Sequence, residues 1–177
     1  MDLLGVVDGT TTTTLLTGNR VETSEHRFLD WTLNGKLLRT MLGWENPPSD
    51  CTCMVSGWDL DAGLAWLASL RFEGAGGFPA GRAAVLVCQA CGALECGALS
   101  VHVTRNPTTV RWSDVGWQVP REGGFQPLDI PLRFEFEAVD YDGLLTSLAH
   151  RLVASAVTIP ASGRFWRKTE EQVVIQV

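Results

Sequence analysis

The sequence predicts an α+β fold, a single domain in which a mainly antiparallel sheet carries two or three packed helices. Three observations lead there. Apolar and polar residues alternate with period two at 99–104 and 132–137, the pattern of half-buried strands. Leucines recur at spacings of three and four in two other stretches, the pattern of a helix face. The chain has 177 residues, the size of one domain, and no repeat or linker divides it.

The elements follow in order. The β-branched run Thr10 to Thr14 lies between Gly9 and Gly18, so residues 1–20 read as a flexible arm or an edge strand of poorly specified register. Residues 26–33 alternate around Phe28 and Trp31, then Asn34-Gly35 turns the chain into a short helix bearing Leu37, Leu38, Met41 and Leu42. Asn46-Pro47-Pro48 ends that helix, because proline lacks the amide donor and fixes its own φ. Leu60, Leu64, Leu67 and Leu70 mark a helix running to about Phe72, with Asp59 or Asp61 as its cap. Residues 73–82 hold too many glycines for a regular element and form an ordered loop.

The central sheet comes next. Residues 83–88 are a continuous apolar strand, joined by a cysteine-bearing loop to a strand with Leu99, Val101 and Val103 on one face. After the turn at Asn106-Pro107-Thr108, Val110 and Trp112 alternate with Arg111 and Ser113. Val115, Trp117 and Val119 continue on a shifted phase, which one extra residue near Asp114 explains as a bulge. Leu132, Phe134 and Phe136 form a strand with one wet face, and Tyr141, Leu145, Leu148 and Leu152 a second helix with Asp140 or Asp142 as its cap. A hairpin about Ala161-Ser162-Gly163 and a last strand with Val173, Ile175 and Val177 complete the expectation.

Composition narrows the function. The formal charge is -6 and the fourteen basic residues are dispersed, without the clustering that neutralises phosphates, so nucleic acid is not an expected partner. No apolar stretch approaches the ~20 residues that span a bilayer, and Asp2 stands where a signal peptide carries basic residues. A cytoplasmic protein without membrane contact is expected.

Chemistry concentrates at the cysteines. Cys88, Cys91 and Cys96 fall within nine residues between two strands, with Gly92 and Gly97 following the second and third. Thiolates bind zinc, so a structural zinc site on these three is one reading, with His102, Cys51 or Cys53 as fourth ligand. The other is that Cys88 is a small buried hydrophobe and the glycines shape a tight turn over which Cys91 and Cys96 pack. A redox-active Cys88 and Cys91 lacks the helix N-terminus that lowers a thiol pKa. The acid pairs Asp59/Asp61 and Asp140/Asp142 precede helical stripes and are read as caps rather than as acid/base groups. None of the three histidines falls in a metalloprotease, nucleophile-elbow or phosphate-loop motif. Seven tryptophans serve equally as core residues and as interface anchors.

Residues 85–136 resemble a group of small uncharacterised actinobacterial proteins that share a cysteine-glycine turn and a following tryptophan-rich strand. The likeness rests on Cys88, Cys91-Gly92, Cys96-Gly97, Leu99, Val101, Trp112-Ser113-Asp114, Gly116-Trp117, Phe134 and Phe136. Where the group reads Asp-Leu-Gly, this chain has Ala93-Leu94-Glu95, a departure within the turn itself. The resemblance implies a small α+β fold and no defined activity or cofactor.

The sequence-based expectation is therefore a non-enzymatic protein-binding module. Its most concrete form is an immunity protein that neutralises a basic cytoplasmic toxin by covering it, because an acidic surface with aromatic anchors suits such a partner. Its expected contact residues are Asp59, Asp61, Asp114, Trp112, Trp117, Glu135 and Glu137. The alternatives are a structural zinc protein using Cys88, Cys91 and Cys96 with His102 or Cys53, and a small-molecule enzyme whose site is assembled from residues distant in sequence.

Overall fold

Strand β1 (Leu4–Thr17) and strand β2 (Arg20–Leu33) pair antiparallel in continuous register, from Leu4 opposite Leu33 to Thr17 opposite Arg20. The threonine run suits this ribbon, since branched Cβ atoms fit a pleated strand. β1 lies at the sheet edge, and its register is continuous rather than loose. The computed structural model describes residues 1–17, 20–42, 51–52, 54–55, 60–73, 78, 81–88, 94–119, 124–129 and 132–158. The expected tail hairpin and last strand, the Pro47-Pro48 break and most of the glycine-rich loop lie outside these residues.

Asn34 and Gly35 both have positive φ, 52° and 78°, the conformation of the tight turn that matches the twist of a hairpin. The chain then enters β3 (Lys36–Leu37) and the short helix α1 (Leu38–Met41). Strands β4 (Cys51–Thr52) and β5 (Met54–Val55) are separated by one residue yet belong to different sheets. β4 pairs with β6 (Arg82–Cys88), whereas β5 pairs with β2. This segment therefore joins the β1-β2-β3 sheet to the larger one, whose order is β10-β8-β7-β6-β4 with β9 added to β8.

Helix α2 (Leu60–Leu70) ends close to the expected point, but its buried face is rotated from the leucine stripe. Gly63, Trp66, Leu67 and Leu70 are buried while Leu64 is 36% exposed, because Trp66 and not Leu64 turns to the sheet. The Trp66 indole donates to the Ala84 carbonyl, and the Trp31 indole from β2 donates to the next one, Val85, both at 2.8 Å. These carbonyls sit where the β6 ladder to β7 (Ala98–Arg105) shifts register. Each indole thus satisfies a buried polar group at an irregular point of the ladder.

Strand β8 (Thr109–Gln118) contains the expected bulge: His102 faces Ser113 and Ser100 faces Gly116, so Asp114 and Val115 together oppose Val101, and Asp114 has φ 48°. Strand β9 (Phe125–Pro127) and strand β10 (Phe134–Glu137) follow. Helix α3 (Ala138–Thr158) buries Tyr141, Leu145, Leu148 and Leu152 as expected. It starts before both aspartates proposed as caps. The Ala138 amide donates to the Thr108 carbonyl, Asp140 falls in the first turn, and Asp142 instead takes a two-pronged bond from Arg105 at 2.8 and 2.6 Å.

One core joins these layers. Leu29, Trp31 and Leu33 of β2, Trp66, Leu67 and Leu70 of α2, the inner faces of β6, β7 and β8, and the α3 stripe form a single buried cluster. At roughly 25 cal/mol per Å² of apolar surface removed from water, this burial is the main stabilising term. Trp112 at its centre donates to the Tyr141 hydroxyl at 3.1 Å, which donates to the Leu70 carbonyl at 3.0 Å. The fold is α+β, as the sequence predicts.

Candidate functional site

The bulge creates the site. β8 pairs with β10 through Thr109–Trp112 and with β9 through Gly116–Gln118, so its edge changes neighbour across the bulge. A cleft of about 640 Å³ opens at this change, lined by Thr104, Arg111, Ser113, Asp114, Val115, Phe125, Pro127, Leu128, Leu132 and Arg133. The Leu128 amide donates to the Val115 carbonyl at 3.0 Å and holds the chain after β9 against the bulge.

Two guanidinium groups face this cleft. Arg111 donates through Nε and Nη2 to Glu135 Oε2 at 3.1 and 2.6 Å, across the β8–β10 ladder, where the two residues are direct partners. This bonding, and then the charge of Arg111, holds the Glu135 carboxyl below its usual range. Arg133 is exposed and forms no ion pair with the described residues. Val115, Pro127, Leu128 and Leu132 supply an apolar wall, and Thr104 and Ser113 supply hydroxyls.

Beside the cleft lies a third cation, Arg82 at the start of β6. Its Nε donates to Gln118 Oε1 at 3.0 Å, and its Nη2 donates to Ser100 Oγ and the Asp114 carbonyl, both at 2.8 Å. Ser100 and Gln118 are buried, so a half-buried guanidinium is held here by neutral acceptors. Burial lowers the Arg82 pKa, against the opposing charge of Asp114. The guanidinium lies 3.9 Å from the centroid of the Phe125 ring, which is 37% exposed and lies over Gly116. A Cβ at Gly116 would stand 2.5 Å from the Gln126 carbonyl oxygen as well as inside the Phe125 ring contact, so only glycine admits the ring.

The residues proposed from sequence divide. Asp114 lines the cleft at the bulge and Glu135 lies beside it, paired with Arg111, whereas Glu137 stands opposite Thr109 at the far end of the β8–β10 ladder and does not line the cleft. Trp112 is fully buried, so it supports the site from the core and touches no partner. Trp117 packs against the core cluster, and Asp61 is exposed on α2, which packs on the other side of the sheet. Asp59 lies outside the described residues. The local charge also differs from expectation, since Arg82, Arg111 and Arg133 accompany Asp114 and Glu135.

The zinc ligands divide too. His102 stands opposite Arg82 at the start of β6, while Cys88 is at its end, so ~20 Å of strand separates them at ~3.3 Å per residue. His102 therefore cannot complete a site with Cys88. Cys96 ends a 3-10 turn (Leu94–Cys96) and is exposed, and Cys91 and Cys53 lie outside the described residues. Cys51 is placed directly opposite Cys88 in the β4–β6 pair. No group of three potential metal ligands occurs among the described residues.

Sequence reasoning missed Arg82, Arg111, Phe125 and Arg133. Arg82 reads only as the residue before an apolar run, and nothing local connects it with Ser100, Gln118 or Phe125. The site defines an α+β protein with an open, mixed-charge cleft walled by an aromatic ring and apolar side chains. No family model, curated protein or solved structure matches the chain.

Proposed function

We propose that the protein is a non-enzymatic protein-binding module whose contact surface is the outer face of the sheet around the β8 bulge. The observation that carries this reading is the Phe125 ring, partly exposed yet clamped between Gly116 and the Arg82 guanidinium. A fixed aromatic flanked by arginines is the chemistry of an interface anchor, because it offers apolar area at little entropic cost. Arg111 and Arg133 suit a carboxylate-bearing segment of the partner, seated over the apolar wall.

The concrete form of this reading is an immunity protein that neutralises a toxin by direct binding. The net charge of -6 favours a basic partner at long range, and the cleft fixes its orientation on contact. The test is affinity capture from the native host with wild-type bait and with Phe125→Ala and Arg133→Glu baits. A stoichiometric partner kept by the wild type and lost by both variants, each folded by circular dichroism, supports the reading. A partner kept by all three removes this surface from it, and bound small molecule in place of protein favours an enzyme.

A further inference from the structure

Five cysteines occur in this chain, and the strand register makes two of them direct cross-strand partners from positions 37 residues apart. Cys51 of β4 and Cys88 of β6 are direct antiparallel partners, with Thr52 and Val87 the next pair along. Directly opposed residues in such a ladder have Cα atoms ~4.5 or ~5.5 Å apart, and both values lie within the span that a disulfide bridges. The pair also falls at a consequential place. β4 ends the larger sheet, and one residue further on the chain becomes β5 and pairs with β2 of the other sheet. Whatever fixes Cys51 to Cys88 fixes the segment that joins the two sheets.

We propose that Cys51 and Cys88 form a redox-closable cross-strand dithiol, open under reducing conditions and closed by exchange with a small-molecule disulfide such as oxidised glutathione. One thiolate attacks the glutathione disulfide, forming a mixed disulfide and releasing one glutathione thiolate. The second cysteine thiolate then attacks the protein sulfur of that mixed disulfide and expels the other glutathione. The two protein thiols lose two electrons and two protons, and one glutathione disulfide becomes two glutathione thiols. Closure removes the freedom of a long loop from the unfolded chain and pins the β4–β5 segment, so the closed form resists unfolding more strongly.

The experiment treats the full chain with oxidised or reduced glutathione, blocks remaining thiols by alkylation, and maps peptides by mass spectrometry. The expected result is a Cys51–Cys88 linked peptide in the oxidised sample only, absent in Cys51→Ser and retained when Cys53, Cys91 and Cys96 are all changed to serine. Slower amide exchange in β4 and β5 accompanies closure. Three outcomes overturn the proposal: glutathione adducts on both cysteines without a link, dominant links from Cys88 to Cys91 or Cys96, or stoichiometric zinc that protects Cys51 and Cys88 in the reduced protein. Mapping the wild-type chain decides among these whether or not the variants fold.

Discussion

The Arg82 guanidinium lies over the Phe125 ring, 3.9 Å from its centroid, and among the described residues it forms no ion pair with a carboxylate. The two arms of this contact have separate consequences. Arg82→Ala leaves the buried Gln118 oxygen and Ser100 hydroxyl short of a donor, and is expected to cost roughly 1 to 3 kcal/mol in chemical denaturation. Phe125→Ala removes a partly exposed ring and costs about 1 kcal/mol of stability or less, but under the proposed binding role is expected to weaken partner binding by roughly 30-fold or more. Equal losses of stability from the two changes would contradict this division.

Gly116→Ala places a methyl group against the Gln126 carbonyl oxygen and the Phe125 ring. β9 must move away from β8 to admit it. The expected destabilisation is roughly 1 to 3 kcal/mol, with faster amide exchange confined to Phe125–Pro127 and the facing part of β8.

Tyr141 is the only tyrosine of the chain, and burial pushes its hydroxyl far above the usual range. The folded form therefore favours the neutral phenol, and stability from this group is lost as pH rises through the folded pKa. The phenolate absorbance band is expected to appear only with unfolding in an alkaline titration, as one cooperative step. Tyr141→Phe leaves the Trp112 indole and the Leu70 carbonyl without their shared partner, at a cost of about 1 to 3 kcal/mol.

Two aspartates give opposite dependences on pH. Asp30 is buried with Arg39 Nε 2.8 Å from Oδ2, yet among the described residues neither carboxylate oxygen receives a well-aligned hydrogen bond. Burial raises its pKa against the pull of Arg39, so its contribution is favourable at low pH and is lost as pH rises through the folded value. Asp142 is held low, first by its bonds to Arg105, so its contribution is present above the ordinary carboxylate range and lost as pH falls. Melting curves across the acid range are expected to show Asp30→Asn gaining on the wild type as pH rises, and Asp142→Asn losing part of the wild type's acid sensitivity, the part held by Glu135 and Asp2 remaining.

The strands that alternate, the Asn34-Gly35 turn, the bulge and the α3 stripe were legible because each has a local signature: period two, two positive φ values, a phase shift, spacings of three and four. The buried face of α2 was not, since Leu64 and Trp66 are both apolar and only the position of the Ala84 carbonyl decides which turns inward. The site was half legible. Asp114 marks a phase shift in β8 and Glu135 lies in the clear alternation of β10, whereas Arg82 reaches Phe125 across β7 and β8, a juxtaposition made by register. The pairing of Cys51 with Cys88 has the same origin, and so has the exclusion of His102 from Cys88.

The indoles of Trp31, Trp66 and Trp112 come from β2, α2 and β8 and meet at centroid distances of 6.1 Å (Trp31 to Trp66) and 5.7 Å (Trp31 to Trp112) with fixed tilts of 42° and 79°. Chromophores held so close in one asymmetric arrangement couple their electronic transitions, so the near-ultraviolet dichroism that these three rings contribute is a property of the docked core and not of any one ring. A state that keeps its helices and strands but loosens their contact loses that signal while the far-ultraviolet spectrum persists. The molecule thus carries its own optical gauge of whether both sheets and the helix between Leu60 and Leu70 are seated together.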